Sequence, residues 1–463
     1  IRVPEVDDFA ALGGVEALDD QDRRTLQDLR RTPRIEYAEV RRLKMLSLTR
    51  AFEWFVDREW RRDSDRAGDL RAYVTRERWW LESYGLFRAV HADSGEQSWL
   101  TWPADLRGRD PTALEAARRR LWKDILFRQY LQWIAEAQWR AARDLAAPTL
   151  VFGDLPFAVD RDSADIWTAP DWFLLHASVG VPPDAFSGQG QNWGLPAYRW
   201  DALAAADYRW LRDRGRRAAA LFDGSRIDHV VGFYRTYIIP DDGAAPSFVP
   251  ADEDEQLALG ERIMAIFRES LSQVVAEDLG TVPRFVRRSL TRLGLPGYRV
   301  LRWEREWEEE GQPFRDPAEY PALSLATSGT HDTETMAAWW DSAPAEDHES
   351  IARLSSVQAV LASRDRRPPG DDARVGDSWH PPSRFDETVR DLLLEALFAS
   401  GSEYLILPIQ DLFGWTDRIN VPATVDEVNW TWRLPVAVDR LAESPDWRDR
   451  QATLKNWAEK YGR

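Results

Sequence analysis

Four short polar stretches, each closing a short apolar run, carry the chemistry legible in this chain. They are Gly153-Asp154-Leu155-Pro156, Ser225-Arg226-Ile227-Asp228-His229, Ala276-Glu277-Asp278-Leu279-Gly280 and Gly329-Thr330-His331-Asp332. Each sets a carboxylate where a buried strand would emerge into a loop. Parallel barrels collect reactive groups at the carboxyl ends of their strands. Two or three carboxylates converging there are the equipment of glycosidic bond cleavage.

The spacing suggests a division of labour. Arg226 and Asp228 are two residues apart at a strand end, so they face the same way. An arginine that close favours the ionised carboxylate, as a nucleophile requires. The same pair would equally make a structural ion pair. Glu277 directly follows Val274-Val275-Ala276. A glutamate leaving an apolar run is poorly solvated, which raises its pKa and suits it to protonate a leaving sugar oxygen. Asp278 would point to the opposite face and reads as structural. Asp332 could favour the distorted, charge-developing sugar ring, or it could cap a helix. His331 reads as a contact to the same hydroxyls or as a packed histidine, and His229 as a substrate contact or a packing group. Asp154 could orient Arg226, contact a substrate hydroxyl, or serve the fold alone. No His-x-x-x-His or Glu-x-x-His pair and no phosphate-binding glycine loop is present, so no metal and no cofactor is expected.

The elements that must position these groups follow from periodicity. Up to residue 147 the chain reads as mostly helical, with Met45, Leu48, Phe52 and Phe55 at helical spacing. A long helix is predicted from about Thr112 to Leu145 through Trp122, Leu126, Tyr130, Trp133 and Ala137. From residue 148 to 463 short apolar runs alternate with helical stretches. The runs are Leu150–Phe152, Ala219–Phe222, Val274–Ala276, Tyr298–Leu301, Ser324–Thr327 and Tyr404–Ile409. Continuous apolar runs suit strands covered on both faces of a parallel sheet. A closed eight-stranded barrel needs two more, and residues before Thr149 show no such pair. Gly180–Pro196, Pro240–Glu253 and Arg364–Pro382 read as loops.

Composition narrows the partner. The 463 residues are 44% hydrophobic and 30% charged, which is globular. A net charge of -17 argues against nucleic acid and suits a neutral sugar polymer. Cysteine is absent, excluding disulfides and thiolate metal sites. The basic side is nearly all arginine; the lysines are Lys44, Lys123, Lys455 and Lys460. Of the 24 tryptophans, about two-thirds are expected to fill core and the rest to offer stacking surfaces for sugar rings. No apolar run reaches membrane length and no signal peptide is visible. The expected location is the cytoplasm; oligomeric state is not encoded in any recognisable pattern.

With these residues in view, the chain resembles the 4-α-glucanotransferases, the amylomaltase or disproportionating-enzyme relatives of the α-amylases. The resemblance runs from about Leu150 to Leu434. It rests on Gly153–Phe157, Asp162–Trp167, Gly180–Ser187, Gly190–Gly194, Pro196–Trp200, Arg226–His229, Ala276–Gly280, Gly294–Gly297, Gly329–Asp332, Gln410–Gly414 and the stretch from Asn429 and Trp430 to Leu434. Arg-Ile-Asp-His alone would suggest only the wider amylase group.

The resemblance implies a (β/α)8 TIM barrel with helical insertions. Asp228 matches the nucleophile, Glu277 the general acid/base and Asp332 the transition-state stabiliser. Asp154, Arg226, His229 and His331 match neighbours in the site. Asp184, Phe186 and Trp193 match contacts on a loop over bound glucan, and Asn420 a sugar-binding asparagine. Ala185 and Leu195 depart from the common tyrosine and asparagine, with consequences for acceptor binding. The chain begins at Ile1, and the family's opening segment, with the first two barrel strands, is expected to be absent. The implied substrates are α-1,4-glucans and malto-oligosaccharides. An α-amylase-type hydrolase and an inactive glucan-binding fragment are the competing readings.

Overall fold

The computed structural model describes residues 1–183, 189–307, 309–364, 379–422 and 424–463. Its chain divides into two compact units. One comprises Ile1–Thr32 with Glu36–Val274, the other Pro33–Ile35 with Val275–Arg463.

The first unit opens with helices, among them α1 (Tyr37–Arg58), α2 (Asp65–Arg76), α3 (Arg78–Asp93) and α4 (Trp122–Ala146). The predicted long helix is two helices in fact. Pro111–Arg120 starts on Asp110, whose side chain accepts from the Thr112 and Ala113 amides, with proline at the first helical position. It ends at Leu121, whose φ of -102° and ψ of 21° break the helix before Trp122. The apolar stripe Leu126, Phe127, Tyr130 and Ile134 of α4 then packs on Phe52 and Phe55 of α1.

A buried polar knot fastens this core. Asp8 is fully buried and takes two bonds from Arg66, at 2.5 and 2.9 Å, and one from the Tyr130 hydroxyl at 2.7 Å. Farther along α4, Glu136 meets Arg217 at 3.0 Å and the Trp139 indole donates to the Leu221 carbonyl at 2.7 Å. Those two contacts dock α4 on α5 (Arg209–Leu221).

The rest of the first unit holds two sheet fragments. Strands β1 (Phe152–Leu155) and β4 (Gly224–Ile227) pair in parallel, with Asp154 opposite Arg226. Reciprocal close approach sets that pairing. A Cβ on Gly153 would lie 2.2 Å from the Phe222 ring, and one on Gly224 2.5 Å from the Phe152 ring. Both positions therefore demand glycine. Between these strands the chain forms β2 (Phe173–Val181) and β3 (Gln191–Tyr198). With β5 (Thr236–Pro240) and β6 (Ser247–Val249) they make an antiparallel sheet in the order β3-β2-β5-β6. Helices α6 (Val230–Tyr234) and α7 (Glu253–Ser270) complete the unit.

From the unit boundary at Val274 onward, β7 (Val274–Ala276), β8 (Gly297–Val300), β9 (Ser324–Thr327) and β10 (Tyr404–Leu405) pair in parallel in that order. Asp278, nearly fully buried just past β7, accepts from the Tyr298 amide at 2.6 Å and fastens β7 to β8, a structural role. Helices α8 (Arg284–Leu293), α9 (Met336–Ser342), α10 (Glu387–Phe398) and α11 (Ile409–Phe413) lie between and after the strands. Trp339 and Trp340 of α9 pack with Leu393 and Leu397 of α10 in the core.

The arrangement corrects several expectations. Ala219–Leu221 is the end of α5 and not a strand; the strand begins at Gly224, and the Leu150–Phe152 strand is displaced to Phe152–Leu155. Only Tyr404 and Leu405 of the Tyr404–Ile409 run form a strand, and Ile409 opens α11. Gly180–Pro196 is not a loop throughout, since its described ends belong to β2 and β3, and Ser247–Val249 is a strand inside the predicted loop Pro240–Glu253. Most of Arg364–Pro382 lies outside the described residues. Eight tryptophans are buried (Trp99, Trp102, Trp167, Trp200, Trp210, Trp339, Trp340 and Trp457), and most of the others are partly buried, with Trp60, Trp80, Trp133 and Trp379 packed against the core clusters.

Asp8→Ala leaves the Arg66 charge and the Tyr130 hydroxyl facing an empty acceptor. It is expected to lower the unfolding free energy by about 3 kcal/mol in a denaturant titration. A change within about 0.5 kcal/mol, typical of a surface site, contradicts the fastening role.

Candidate active site

Asp154, Trp193, Arg226, Asp228 and His229 belong to the first unit. Because β1 and β4 are in parallel register, Asp154 stands across from Arg226, and Asp228 leaves β4 two residues on. The Arg226 Nη1 lies 2.8 and 2.7 Å from the two Asp154 oxygens and 2.8 Å from Asp228 Oδ1. The Asp228 amide donates to the Leu155 carbonyl at 3.0 Å, carrying the strand pairing up to the candidate nucleophile. Of the roles left open for Asp154, orienting Arg226 is the one these contacts display. About a third of the Asp228 side chain stays exposed, enough for a reactant to reach it.

His229 turns the chain sharply at this point. Its φ of 45° is left-handed, a conformation costing a non-glycine residue roughly 1 kcal/mol or more. The imidazole meets the Phe157 ring at 5.6 Å and the Trp193 indole, brought by β3, at 4.8 Å. A Cβ on Gly232 would come within 2.7 Å of that ring. His229 thus packs as well as borders the carboxylate. Burial lowers its pKa from 6.5 to about 4; nearby Arg226 acts in the same direction and Asp228 opposes.

Glu277, His331, Asp332 and Asn420 belong to the second unit. Glu277 follows β7 and is 8% exposed, with one oxygen accepting from the Leu279 amide at 2.9 Å. The loop from Ser328 to Thr335, between β9 and α9, presents His331 and Asp332. Asp332 Oδ1 accepts from the Asn420 side-chain amide at 2.6 Å, and its Oδ2 lies 3.2 Å from His331 Nε2. The Asn420 amide donates to the His331 carbonyl at 3.1 Å. Asp332 does not cap a helix: α9 starts on Thr335, whose hydroxyl accepts from the Ala338 amide. His331 is not enclosed either, being about a third exposed and faced by Trp430 at 5.2 Å.

Some site residues escaped the sequence reading. Arg418 donates to the Asp332 carbonyl and, at 2.7 Å, to that of Asn420, so it clips the two loops together. Glu334 pairs with Arg302 at 3.0 Å and approaches Arg418 at 3.8 Å. Trp430, half-exposed with a φ of 61°, donates its amide to Ile419. Trp430 stands in a stretch that carried the resemblance, but nothing in its spacing assigned it a role. Asp184 and Phe186 lie outside the described residues. Among the described residues no group of three or more His, Cys, Asp or Glu side chains is placed to hold a metal ion, and no helix is long and apolar enough to cross a membrane.

Known proteins share this architecture. The structure matches an amylomaltase from Streptococcus agalactiae solved in complex with acarbose, with a TM-score of 0.76 and 25% identity over 99% of this chain and 86% of that one. An amylomaltase from Corynebacterium glutamicum aligns with a TM-score of 0.71 at 23% identity, over 98% of this chain and 65% of that one, and speaks for the fold alone. The fold is thus the α/β fold of amylomaltases.

The profile of the 4-alpha-glucanotransferase family matches residues 4–438, well beyond the Leu150–Leu434 span that carried the resemblance. Relatives of that name include a Thermus thermophilus protein, 32% identical over 416 residues (87% of this chain, 77% of the relative). One from Chlamydia pneumoniae is 30% identical over 426 residues (90% and 76%). The chain belongs to the 4-alpha-glucanotransferase family and is an enzyme of that glycosyltransferase type.

The depressed His229 pKa has a measurable consequence. Between pH 6.5 and about 4 the unfolded imidazole takes up a proton that the folded one refuses, so this group's contribution to stability falls as pH drops through that window. The His229 ring resonances are expected to titrate near pH 4 by NMR, and a midpoint above 6 contradicts the lowered pKa.

Proposed function

We propose that the enzyme moves an α-1,4-glucan segment from a donor malto-oligosaccharide to the 4-hydroxyl of an acceptor glucan or glucose, with retention of configuration. In the first step an Asp228 oxygen forms a bond to the anomeric carbon. The glycosidic C–O bond breaks as Glu277 gives its proton to the departing oxygen. In the second step Glu277 takes the proton of the acceptor 4-hydroxyl, whose oxygen forms the new bond to the anomeric carbon and frees Asp228. Asp332, through its oxygens and with His331 and Asn420 beside it, stabilises the flattened, positively charged sugar of both transition states.

The observation that carries the reading is the way two of these carboxylates are held. Arg226 orients Asp228, and Asn420 and His331 orient Asp332, so neither depends on bulk water for its geometry. Arg226, Asp154, His229 and Trp193 then serve to shape and orient the donor side, with Asp184 and Phe186 completing the substrate contacts. The parallel strands are read as part of a (β/α)8 barrel, and the cytoplasm as the compartment. Transfer prevails over hydrolysis when the acceptor, rather than water, occupies the site of attack.

Maltotriose tests the reading. The products are expected to be glucose together with chains longer than three units. Exclusively shorter products would mean hydrolysis, the α-amylase-type alternative, and no products would mean an inactive glucan binder. Asp228→Asn is expected to cut turnover about a thousandfold or more while maltotriose still binds in calorimetry. Undiminished turnover removes Asp228 from the nucleophile's role.

A further inference from the structure

One buried carboxylate has no part in the steps above. Asp411, in α11, is 1% exposed. Its Oδ2 accepts from the Ser328 hydroxyl at 2.5 Å and its Oδ1 from the Met336 amide at 2.7 Å. Ser328 is where the chain leaves β9 and Met336 is where it enters α9. A single side chain therefore grips both ends of the loop that presents His331 and Asp332.

The loop between those anchors is tightly laid. Arg302, itself buried, donates to the Ser328 carbonyl at 3.0 Å. The Thr327 hydroxyl donates to the Gly329 carbonyl at 2.7 Å, and the Thr330 amide donates to the Thr333 hydroxyl at 3.0 Å. A Cβ on Gly329 would lie 2.6 Å from that Thr333 hydroxyl and 3.3 Å from Arg302 Nη2. Inside this frame the Asp332 amide donates to the Thr330 hydroxyl at 3.2 Å. The loop thus has little freedom except at its ends, and the ends are what Asp411 holds.

Energetics point the same way. Burial makes the charged form of Asp411 unfavourable and raises its pKa, against the bonds from Ser328 and Met336 and the field of Arg302. An apolar side chain of similar size generally stabilises a core as well as a buried charge does. What an apolar side chain cannot do is accept two hydrogen bonds from opposite ends of one loop.

We propose that Asp411 is a positioning residue for glucan transfer, setting the place of the Asp332 carboxylate by anchoring both ends of its loop. The inference rests on the assignment of Asp332 to the transition state. A displacement near 1 Å at a catalytic group costs on the order of a hundredfold in rate. Asp411→Ala is therefore expected to lower kcat for maltotriose about 10- to 100-fold, with KM changed less than about threefold. Asp411→Asn keeps an acceptor for the Met336 amide and a polar partner for Ser328, and is expected to recover most of the loss.

The decisive experiment is a double-mutant cycle with Asp332→Asn in the full chain, read by kcat alongside circular dichroism. If Asp411 acts through Asp332, Asp411→Ala slows the parent enzyme but adds little in the Asp332→Asn background. Ser328→Ala, which removes one anchor without emptying the core, gives the same pattern with a smaller loss, about threefold or more, and replaces Asp411→Ala should that variant not fold. An equal loss in both backgrounds, or unchanged kcat in the parent, overturns the inference. Normal turnover by Asp332→Asn alone would sink the assignment of Asp332 and the inference with it, whereas a slow Asp332→Asn with a fast Asp411→Ala sinks only the inference.

Discussion

The Arg226 guanidinium, shared between Asp154 and Asp228, is the contact on which the candidate residues of the first unit depend. It exists because β1 and β4 run parallel in one register, and that register exists because Gly153 and Gly224 let two phenylalanine rings lie against the backbone. A side chain at either glycine would push the strands apart and separate Asp154 from Arg226. Backbone packing in the sheet is thereby converted into the orientation of the Asp228 carboxylate.

The second unit solves the same problem with loops. Asp332 is not on a strand; it sits in the turn after β9, so strand pairing cannot hold it. The protein instead brings in the 418–420 segment, whose Arg418 and Asn420 bond to the backbone and side chain of Asp332, and Asp411, which bonds to the loop's ends. Preorganised donors of this kind need no rearrangement when charge develops on a substrate, which is where enzymes gain most from polar groups.

The candidate carboxylates stood out because their signal is local: an acid directly following an apolar run can be read within a few residues, as at Ala276-Glu277. Strands were less legible. Ala219–Leu221 is apolar and short, and periodicity cannot tell so short a run from a helix end. The strands β2 and β3 were hidden by Gly180, Gly194 and Pro196, residues that usually mark loops, although their edges carry Trp193 to His229. The clamping roles of Asp411, which stands in the Gln410–Gly414 stretch, and of Arg418 were not legible for another reason. Their partners lie 75 to 86 residues away, and no spacing rule reports a contact of that range.

The claim that Asp228 becomes covalently joined to the donor sugar is open to direct measurement. A Glu277→Gln variant treated with α-maltotriosyl fluoride keeps a good leaving group for the first step but lacks the base for the second, so the glycosyl-enzyme should accumulate. Peptide mass spectrometry after rapid acid quench is expected to find the maltotriosyl mass on the peptide bearing Asp228. The adduct on another carboxylate, or a product of inverted configuration with no adduct, would contradict the account.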